Sequence, residues 1–409
     1  MNCRFCSTPL QHTFIDLVNS PPSNSFLRSE QLNEPEAFFP LHIQVCHQCW
    51  LVQIDEYKKA DEIFSGEYVY FSSFSKSWLH HAEQYVEMMI PRFGYDASSF
   101  VLEIASNDGY LLQYFHKKGI PVLGVEPTAN TAEAAREKGV RTVCEFFGKA
   151  FAEKLIHSEQ KPNLILGNNV LAHVPDINDF VGGMAIALAE EGVVTMEFPH
   201  LMRLVEHHQF DTIYHEHFSY LSLTTVQAVF AKHDLTIFDV EEIPTHGGSL
   251  RIFARHLSDT EKPVTERVAE LLERERSTGL TTIEYYQGFQ DAANTVKYDL
   301  LNFLIEQKRA GKTVMGYGAA AKGNTLMNYC GIKPDLIPSV ADASPHKQGK
   351  YLPGTHIPVV APSAIDEVQP DFVLIFPWNI KDEVMQQLAH IRSWGGKFVV
   401  PIPSLQVFG

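Results

Sequence analysis

The chain has 409 residues, of which 45% are hydrophobic and 20% are charged, a composition typical of a folded globular protein. A chain of that length is too long to fold around a single hydrophobic core, so we expect roughly two or three domains. The net charge of −16 argues against a general nucleic-acid binder, although one local basic pocket can still hold a diphosphate. The sequence shows neither a run of about 20 apolar residues nor a secretory signal, so we expect no membrane span. Four of the six cysteines sit in close pairs, which argues against disulfides and fits a reducing cytoplasm.

Four of the six cysteines form two identically spaced pairs, Cys3-Arg-Phe-Cys6 and Cys46-His-Gln-Cys49. Two such pairs can close a tetrahedron of thiolates around one zinc ion, which leaves no open position for catalysis. A redox Cys-x-x-Cys or an iron–sulfur cluster is the alternative, but no βαβ pattern follows the pairs, so we favour structural zinc. Cys144 and Cys330 fall in a predicted strand and a predicted helix, and we expect both to be buried thiols.

Strands and helices alternate regularly through the middle of the chain. Apolar spacing predicts a helix over 77–93. The strands predicted after it are 100–105, 121–125, 140–146, 164–167 and 193–198, with helices at 110–118, 130–138, 149–157 and 177–189. This alternation predicts a parallel sheet with helices on both faces. A helix at 224–233 then precedes strands at 236–240 and 250–254, which we expect to be antiparallel.

Acidic residues mark the ends of the first two central strands. The first turn reads Glu103-Ile-Ala-Ser-Asn-Asp-Gly109 and lacks the three glycines of a dinucleotide fingerprint. Carboxylates there favour a cationic sulfonium or ammonium ligand, and Glu126, one strand later, can accept both hydroxyls of a ribose. The pair of signals predicts S-adenosylmethionine, although Glu126 can also be read as a solvated loop carboxylate. The predicted cofactor ligands are Glu103, Asn107, Gly109, Glu126, Asn168 and Glu145, the last placed in the third strand and facing the adenine.

The segment with the densest acid–base chemistry is Tyr214-His-Glu-His217. Two imidazoles, a carboxylate and a phenol are costly to bury unpaired, and they are groups that transfer protons near neutral pH. A satisfied polar loop or a metal site is the structural alternative. If the segment is extended, Tyr214 and Glu216 face one way and the two histidines the other. His173 follows the fourth strand and is expected at the carboxyl edge of the sheet, where ligands bind.

The C-terminal third predicts helices over 261–309, broken at Thr278-Gly279, and then a second small α/β domain with strands at 312–316, 336–341, 372–376 and 397–400. The first strand runs into Gly316-Tyr-Gly-Ala-Ala-Ala-Lys-Gly-Asn324, where backbone N–H groups and Lys322 can hold an anion. A nicotinamide site and a bare structural turn are the alternatives. The nicotinamide fingerprint is incomplete, and neither Asp335 nor Asp342 sits cleanly at the end of the next strand.

Five motifs together resemble the sugar C-methyltransferase family. They are Glu103-x-x-x-Asn-Asp-Gly109, Gly124-Val-Glu-Pro127, Asn168-Asn-Val-Leu-Ala-His-Val174, Tyr214-His-Glu-His-Phe-Ser-Tyr-Leu221 and His246-Gly-Gly-Ser-Leu-Arg251. The cysteine pairs and the 316–324 turn belong to the same pattern. Enzymes of this family use S-adenosylmethionine to methylate C-3 of nucleotide-linked 4-keto deoxysugars. The resemblance implies that this chain does so through an enolate, in deoxysugar biosynthesis.

The resemblance also implies roles for individual residues. His217 is expected to be the base and Tyr214 the donor to the enolate oxygen, with Glu216 and His173 as further catalytic groups, although sequence does not separate His217 from His215. The substrate ligands are expected to be Tyr70, Ser73, His246, Gly247, Ser249, Arg251, Tyr317, Lys322 and Asn324. For Tyr70 and Ser73, closure over the donor and plain hydrophobic docking are both open readings.

The predicted fold class is α/β in three parts. A small zinc-binding domain is expected over 1–68, a Rossmann-like class I methyltransferase domain over 69–258, and a helical linker plus a second Rossmann-like domain, contributing to nucleotide-sugar binding, over 259–409. The expected partner is a nucleotide sugar that carries dTDP; we expect no nucleic acid and a monomer or weak oligomer. An O- or N-methyltransferase of a small polar metabolite and a non-catalytic scaffold are the competing functions.

Overall fold

The computed structural model describes residues 1–59 and 70–409 of the chain. The predicted domain boundary at residue 68 lies outside these residues. Within them, no helix has the length and apolar character needed to cross a membrane.

The strands and helices follow one another in the α/β order that the sequence predicts. The strands are β1 (His12–Ser20), β2 (Phe39–Val45), β3 (Val52–Ile54), β4 (Val101–Ile104), β5 (Val122–Val125), β6 (Thr142–Val143), β7 (Leu164–Asn168), β8 (Val193–Pro199), β9 (Ser219–Tyr220), β10 (Leu235–Ile243), β11 (Ser249–His256), β12 (Val314–Tyr317), β13 (Val340–Ala341), β14 (Val359–Val360), β15 (Phe372–Ile375), β16 (Lys397–Val400) and β17 (Gln406–Phe408). The helices are α1 (Lys76–Phe93), α2 (Leu112–Lys117), α3 (Ala129–Glu137), α4 (Lys149–Ser158), α5 (Ile177–Ala187), α6 (Leu201–Glu206), α7 (Leu223–Ala231), α8 (Glu266–Ser277), α9 (Phe289–Arg309), α10 (Ala321–Cys330), α11 (Ala364–Val368) and α12 (Lys381–Gln387).

The chain divides into two compact units, each assembled from three separate stretches of sequence. The first unit contains Met1–Gln11, Cys46–Leu201 and Phe218–Thr282; the second contains His12–Val45, Met202–His217 and Ile283–Gly409. The domains expected from the sequence are continuous segments, whereas each of these units combines three separate stretches. The expected domain boundaries therefore stay predictions.

A seven-stranded sheet forms the centre of the first unit, in the order β10-β11-β8-β7-β4-β5-β6. The strands from β8 to β6 are parallel to their neighbours, whereas β11 runs antiparallel to β8 and to β10, as expected. The chain runs outward from β4 to β6 and then returns to β7 on the other side of β4. The order of the strands thus reverses between β4 and β7, and ligands of open α/β sheets bind at the carboxyl ends of the strands at such a point.

Helices cover both faces of this sheet because the buried strands carry apolar residues on both sides. Leu102 and Ile104 of β4 belong to the core cluster that contains α5 and α7. Val101 of the same strand faces the other side of the sheet and belongs to the cluster that contains α1 and α2. The class of the fold, α/β with a Rossmann-like sheet, is therefore as the sequence predicts.

The third predicted strand is much shorter than expected. Strand β6 pairs only through Thr142 and Val143 with β5, because it lies at the edge of the sheet and the following residues have no second neighbour. The prediction of a strand over 140–146 is wrong beyond Val143. Cys144 is exposed rather than buried, and Glu145 is an exposed residue outside the strand. Cys330, at the end of α10, is buried as expected.

A six-stranded sheet forms the centre of the second unit, in the order β14-β13-β12-β15-β16-β17. Strands β14 to β16 are parallel, and β17 closes the edge antiparallel to β16. The strand order reverses between β12 and β15. The hairpin of β1 and β2 also belongs to this unit, and Phe14 of β1 stacks on Phe289 of α9 with ring centroids 4.6 Å apart.

One strand of this second sheet begins later than the sequence suggested. The prediction of a strand over 336–341 reduces to β13 (Val340–Ala341). Pro338 lies just before it and has no N–H to donate to a ladder. Asp342 directly follows β13, so the expectation that it does not sit cleanly at a strand end is wrong.

Candidate functional site

The four N-terminal cysteines come together in the first unit. The sulfur atoms of Cys3, Cys6, Cys46 and Cys49 all lie within 4.8 Å of one another, and two sulfur pairs are 3.5 Å apart. A Zn–S bond of about 2.3 Å places tetrahedral sulfurs about 3.8 Å apart. Four thiolates at these separations fit one zinc ion and fill its coordination shell.

The cysteine cluster is built into the core of the first unit. Cys3 and Cys46 are part of the same apolar cluster as α5 and α7. Arg4 donates to the carbonyl of Pro175 at 2.6 Å, and Asn178 of α5 donates to the carbonyl of Phe5 at 3.0 Å. A metal held here therefore stabilises the packing of the N-terminal segment on the methyltransferase sheet.

The turn after β4 carries the predicted cofactor residues. Glu126, directly after β5, is 3% exposed; its Oε2 accepts from the amide of Asn107 and its Oε1 from the amide of Thr128, both at 2.9 Å. These bonds fix the carboxylate at the strand end. Oε1 also accepts from the hydroxyl of Thr128, so Oε2 is the oxygen that retains an acceptor position for a ligand hydroxyl. The turn itself needs a compact backbone: Gly109 has φ +73° and a Cβ there would meet Val140 at 3.1 Å.

Buried polar atoms gather around this turn. Both carboxylate oxygens of Glu103, Oδ1 of Asp108 and Nδ2 of Asn168 have no hydrogen-bond partner among the described residues. Burial raises the pKa of Glu103 well above its usual value, and the Glu126 carboxylate acts in the same direction. The Glu103 and Asp108 oxygens can accept from a ligand and Nδ2 of Asn168 can donate to one, so S-adenosylmethionine, which carries hydroxyls and both signs of charge, suits the residues present.

The segment before α1 is tied to the same turn. The amide of Ser72 donates to Oδ1 of Asn107 at 2.9 Å, and Nδ2 of Asn107 donates to the carbonyl of Tyr70 at 3.1 Å. Lys138 donates to the hydroxyl of Ser73 and to Asp108, both at 2.7 Å. The backbone at Tyr70 and Ser72 thus lies against the predicted cofactor turn, and Ser73 is linked to it through Lys138.

The loop before β11 faces the end of β7. Nδ2 of Asn169 donates to Nε2 of His246 at 3.3 Å, and His246 packs edge-on against Trp78, with ring centroids 5.2 Å apart. Trp78 also stacks on Tyr110 and on His81. Sequence analysis did not select Trp78 and His81. On an amphipathic helix, a tryptophan is typical of the core and a histidine is typical of the surface.

Two predicted substrate ligands make protein contacts in the first unit. Arg251 donates to Glu197 at 2.7 Å and to Glu241 at 3.0 Å, and Glu197 also contacts His81 at 2.8 Å. The hydroxyl of Ser249 donates to the carbonyl of Thr245 at 2.9 Å. Gly247 lies in the same loop with φ +91°. His173 ends a 3₁₀ turn, Leu171–His173, after β7.

The Tyr-His-Glu-His segment belongs to the second unit and forms a turn instead of an extended strand. The amide of His217 donates to the carbonyl of Tyr214 at 2.9 Å, and the two rings lie 4.0 Å apart between centroids. The alternation expected for an extended segment therefore does not apply, because the turn folds the segment back on itself. Tyr214 and His217, which were expected on opposite sides, are neighbours.

Hydrogen bonds distinguish the two histidines of this turn. Nδ1 of His217 lies 2.8 Å from the carbonyl of Thr212; a carbonyl accepts, so Nδ1 carries the proton and Nε2 of the neutral ring carries the lone pair. His215 is 4% exposed and its Nε2 donates to the carbonyl of Pro40 at 3.1 Å. Burial lowers the pKa of His215, which keeps it neutral.

Three contacts hold the turn inside the second unit. Glu216 is 5% exposed, and its Oε1 accepts from Nδ2 of Asn24 at 2.7 Å. The hydroxyl of Thr325 on α10 donates to the carbonyl of Ile213 at 3.0 Å. Nε1 of Trp378 donates to Asp211 at 2.7 Å. The sequence analysis did not select Asp211, Asn24 or Trp378 as site residues. A single tryptophan or asparagine in a loop has no pattern in sequence that indicates its partner.

The predicted anion site meets this turn through Trp378. The Lys322 ammonium lies 4.5 Å from the centre of the Trp378 ring and donates to Asn379 at 2.6 Å. Burial lowers the pKa of Lys322, and Asp211 opposes that change. Burial raises the pKa of Asp211 to about 6, against the effects of Lys322 and Trp378. The structure thus brings the 211–217 and 316–324 motifs, predicted separately, into one cluster.

The glycines of the 316–324 motif allow its loop to approach the loop after β15. Gly318 has φ +87°, and a Cβ there would lie 2.5 Å from the ring of Pro377. A Cβ on Gly323 would lie 2.8 Å from Phe376. Tyr317 ends β12 and its hydroxyl donates to Gln387 at 3.4 Å. Asn324 is fully buried, and neither side-chain atom has a partner among the described residues.

Comparison with known proteins identifies the class to which this fold and these residues belong. Residues 78–240 match a methyltransferase domain family, residues 3–64 a zinc binding domain family, and residues 244–403 the C-methyltransferase C-terminal domain family. Solved structures with partial likeness include an S-adenosylmethionine-dependent methyltransferase from Clostridium acetobutylicum (12% identity, TM-score 0.35, 42% of this chain and 90% of that one). Another is magnesium protoporphyrin IX methyltransferase from Synechocystis with bound S-adenosylmethionine (13% identity, TM-score 0.34, 47% and 88%).

A full-length relative narrows this class. The C-methyltransferase NovU of Streptomyces niveus is 34% identical over 405 residues, which cover 99% of this chain and 96% of that protein. The chain belongs to the C-methyltransferase family. S-adenosylmethionine is its methyl donor and zinc its structural metal.

Proposed function

We propose that this enzyme methylates C-3 of a nucleotide-linked 4-keto-6-deoxysugar through an enolate. The observation that carries the proposal is the hydrogen bond from Nδ1 of His217 to Thr212. It leaves Nε2 as the nitrogen with the lone pair in the neutral ring, and the Tyr214 ring lies 4.0 Å away between centroids. A general base next to a phenol is the pair of groups that enolate formation requires.

The residues have distinct tasks in this reaction. Nε2 of His217 removes the proton from the carbon next to the ketone, and the Tyr214 hydroxyl donates a hydrogen bond to the oxygen that becomes negative. S-adenosylmethionine supplies an electrophilic methyl group on its sulfonium. The enolate carbon forms the new C–C bond as the C–S bond breaks, and His217 then releases its proton to solvent. His173 is proposed as a second acid–base group.

Substrate binding is proposed for the cluster around Lys322. Its ammonium is held by Asn379 and lies over Trp378, so a fixed positive charge is available to a diphosphate on a chain with a net charge of −16. Asn324 adds a buried amide without a partner. The five sequence motifs resemble enzymes of nucleotide-linked deoxysugars, and this resemblance supports a dTDP sugar as substrate and the cytoplasm as location.

Solvent exchange and product mass test the proposal together. The enzyme is incubated in D2O with dTDP- and UDP-linked 4-keto-6-deoxysugars, first with S-adenosylhomocysteine and then with S-adenosylmethionine. We expect deuterium at C-3 without the methyl donor, and a product heavier by one C-methyl group with it. Methylation at oxygen or nitrogen, with no deuterium at carbon, would support the competing O- or N-methyltransferase of a small polar metabolite.

A further inference from the structure

A fully buried glutamine lies beside the cysteine cluster of the first unit. Gln53 is the middle residue of β3, between Val52 and Ile54, which are buried as completely as Gln53 itself. Burying a side-chain amide costs free energy unless its donors and its acceptor find partners. The partners of Gln53 therefore indicate why a glutamine stands in a strand that is otherwise apolar.

The side-chain amide of Gln53 finds its partners at the cysteine cluster. Its Nε2 donates to Sγ of Cys3 at 3.2 Å and to the carbonyl of Leu51 at 3.4 Å. Its Oε1 accepts from the amide of Arg4 at 2.9 Å. Cys3 and Arg4 belong to the first cysteine pair, whereas the carbonyl of Leu51 accepts from the amide of Cys46 in the second pair, at 3.0 Å. One side chain thus joins the two cysteine pairs.

The same three partners fix which end of the amide faces the sulfur. In the reversed orientation, the amide oxygen of Gln53 would face the Cys3 sulfur and the Leu51 carbonyl, so that acceptors would oppose each other. The amide nitrogen would then face the N–H of Arg4, which sets donor against donor. The N–H end of Gln53 therefore faces Cys3.

A bound zinc ion makes this hydrogen bond stronger. Zinc binds cysteine as the thiolate, and the charge of four thiolates exceeds that of one Zn²⁺, so the centre is anionic. Cys3 and Cys46 are buried, so water stabilises little of this charge. An N–H donor to a charged acceptor forms a stronger bond than one to a neutral acceptor. Hydrogen-bond partners outside the ligands also orient the ligands and tune the affinity for the metal.

The support of Gln53 is itself fixed in the first unit. The guanidinium of Arg4 donates to the carbonyl of Pro175 at 2.6 Å and also to the carbonyl of Ile54, the residue after Gln53. Gln53 pairs with Ser219 across the β3–β9 ladder. A donor on a paired strand keeps its geometry better than a donor on a loop.

We propose that Gln53 is the outer-shell hydrogen-bond donor of the zinc site: its side-chain N–H bonds to the zinc-bound thiolate of Cys3 and holds the two cysteine pairs together around the metal. Gln53 is a positioning residue, because it acts through Cys3 and does not bind the metal. The inference extends the zinc site beyond its four ligands and is independent of the proposed sugar substrate.

The zinc affinity of the full chain, measured by competition with a chromophoric chelator, tests this role. Gln53→Met keeps the length of the side chain and removes its donors and its acceptor, so we expect zinc to bind roughly 10- to 100-fold more weakly. Gln53→Glu keeps an acceptor for the Arg4 amide but places a carboxylate oxygen against the Cys3 thiolate. It should lose at least as much affinity, which separates donation to the sulfur from simple bridging of the two segments.

Cobalt in place of zinc reports on the hydrogen bond itself. The Co²⁺ protein has a sulfur-to-cobalt charge-transfer band, and an N–H donor lowers the energy of the sulfur electrons. Loss of this donor in Gln53→Met should move the band to lower energy, which a purely structural role of Gln53 would not do. Gln48→Met is the matched control, because Gln48 is exposed between Cys46 and Cys49. It should retain the natural zinc affinity and the natural band.

Natural zinc affinity in either Gln53 variant, or an unmoved band in Gln53→Met, overturns the inference. If neither variant folds, the natural protein decides the question. Loaded with an NMR-active cadmium isotope, it should show a glutamine side-chain amide proton coupled to the metal, because scalar coupling passes through an N–H···S hydrogen bond. A spectrum without such a coupling also overturns the inference.

Discussion

At residue 217 one hydrogen bond decides which nitrogen can take a proton. Because Nδ1 donates to Thr212, the neutral ring carries its lone pair on Nε2, the nitrogen that we propose as the base. His215 uses its own Nε2 as a donor to Pro40 and is buried, so it is placed to hold the turn. The two histidines look equivalent in sequence and differ in the structure by which ring nitrogen is engaged.

His217→Asn should abolish both methyl transfer and solvent deuterium incorporation at C-3. Asn can still form hydrogen bonds, so dTDP should bind with unchanged affinity. Tyr214→Phe removes a donor and not the base, and should lower kcat by roughly 10²–10³-fold. Rapid-quench turnover and mass spectrometry of the exchanged substrate measure the two effects. Near-normal exchange in His217→Asn would move the base to His173.

Glu126 supports the cofactor turn and, in our proposal, binds the ribose. Glu126→Gln keeps one acceptor for the turn but removes the charge that strengthens a hydrogen bond to a hydroxyl. We expect S-adenosylmethionine binding to weaken by roughly 1.5–3 kcal/mol in calorimetry, with dTDP binding unaffected. Glu133→Gln, on the exposed side of α3, is the control. Unchanged affinity in Glu126→Gln would leave Glu126 a purely structural residue.

Asp211 is expected to give the protein a distinct pH dependence. Burial raises its pKa to about 6, so the folded state binds this proton more tightly than the unfolded state does. The charged form therefore costs stability above about pH 6, and the cost disappears as the pH falls towards 4. Asp211→Asn has no such titration, so its stability relative to the natural enzyme should increase between pH 4 and pH 7, by up to about 3 kcal/mol.

Denaturant unfolding at several pH values measures this difference. Asp371→Asn is the comparison, because Lys312 lowers the pKa of Asp371 and its effect should run in the opposite direction. Parallel stability curves for Asp211→Asn and the natural enzyme would show that Asp211 titrates normally.

At the scale of elements, two loops far apart in sequence form one structure in the second unit. The 3₁₀ turn Phe210–Thr212 and the helix α10 are joined by the bond from Thr325 to Ile213. The loops after β12 and β15 approach closely because Gly318 and Gly323 have no side chains at the contact with Phe376 and Pro377. The acid–base turn therefore depends on the glycine-rich motif for its position.

Gly318→Ala tests this dependence. The substitution places a side chain at φ +87° and 2.5 Å from the Pro377 ring, so both backbone strain and a clash oppose it. Gly311→Ala has φ +72° with no atom within 4 Å and carries the strain alone, about 1–2 kcal/mol. Gly318→Ala should lower the melting temperature further and weaken dTDP binding, whereas Gly311→Ala should leave binding intact. Equal effects would mean that the close approach has no role.

At the scale of the whole molecule, the zinc cluster acts through the core of the first unit. Cys46 is fully buried in the cluster that includes Leu102 and Val226. Loss of a ligand therefore affects packing around the methyltransferase sheet and not the chemistry. No described residue outside the four cysteines completes a comparable metal-binding group.

Cys46→Ser should lower the zinc content and the thermal stability while the pH dependence of kcat remains unchanged. Exposed Cys144 provides the control, and Cys144→Ser should retain zinc and stability. Atomic absorption, calorimetry and a pH–rate profile are the measurements. An altered pH–rate profile with normal stability would give the zinc a part in the reaction.

Several features of this protein follow from sequence because they depend on local patterns. The β4 and β5 strands are largely apolar, with Glu103 next to the end of β4 and Glu126 directly after β5. The paired cysteines have a fixed spacing, so the Rossmann-like fold, the methyl donor and the zinc were predictable. The strands at 140–146 and 336–341 were predicted too long, since pairing at a sheet edge and the effect of Pro338 depend on neighbours.

Tertiary structure decided how the functional groups meet. Only folding shows that Tyr214 and His217 lie side by side, that Thr212 selects the basic nitrogen, and that Trp378 joins Asp211 to Lys322. It also shows that Asp342 directly follows β13 and accepts from the amides of Ala319 and Ser344. Hydrogen bonds and close packing between residues distant in the chain leave no periodic signal, whereas burial of a strand or a helix face repeats along the sequence and can be read from it.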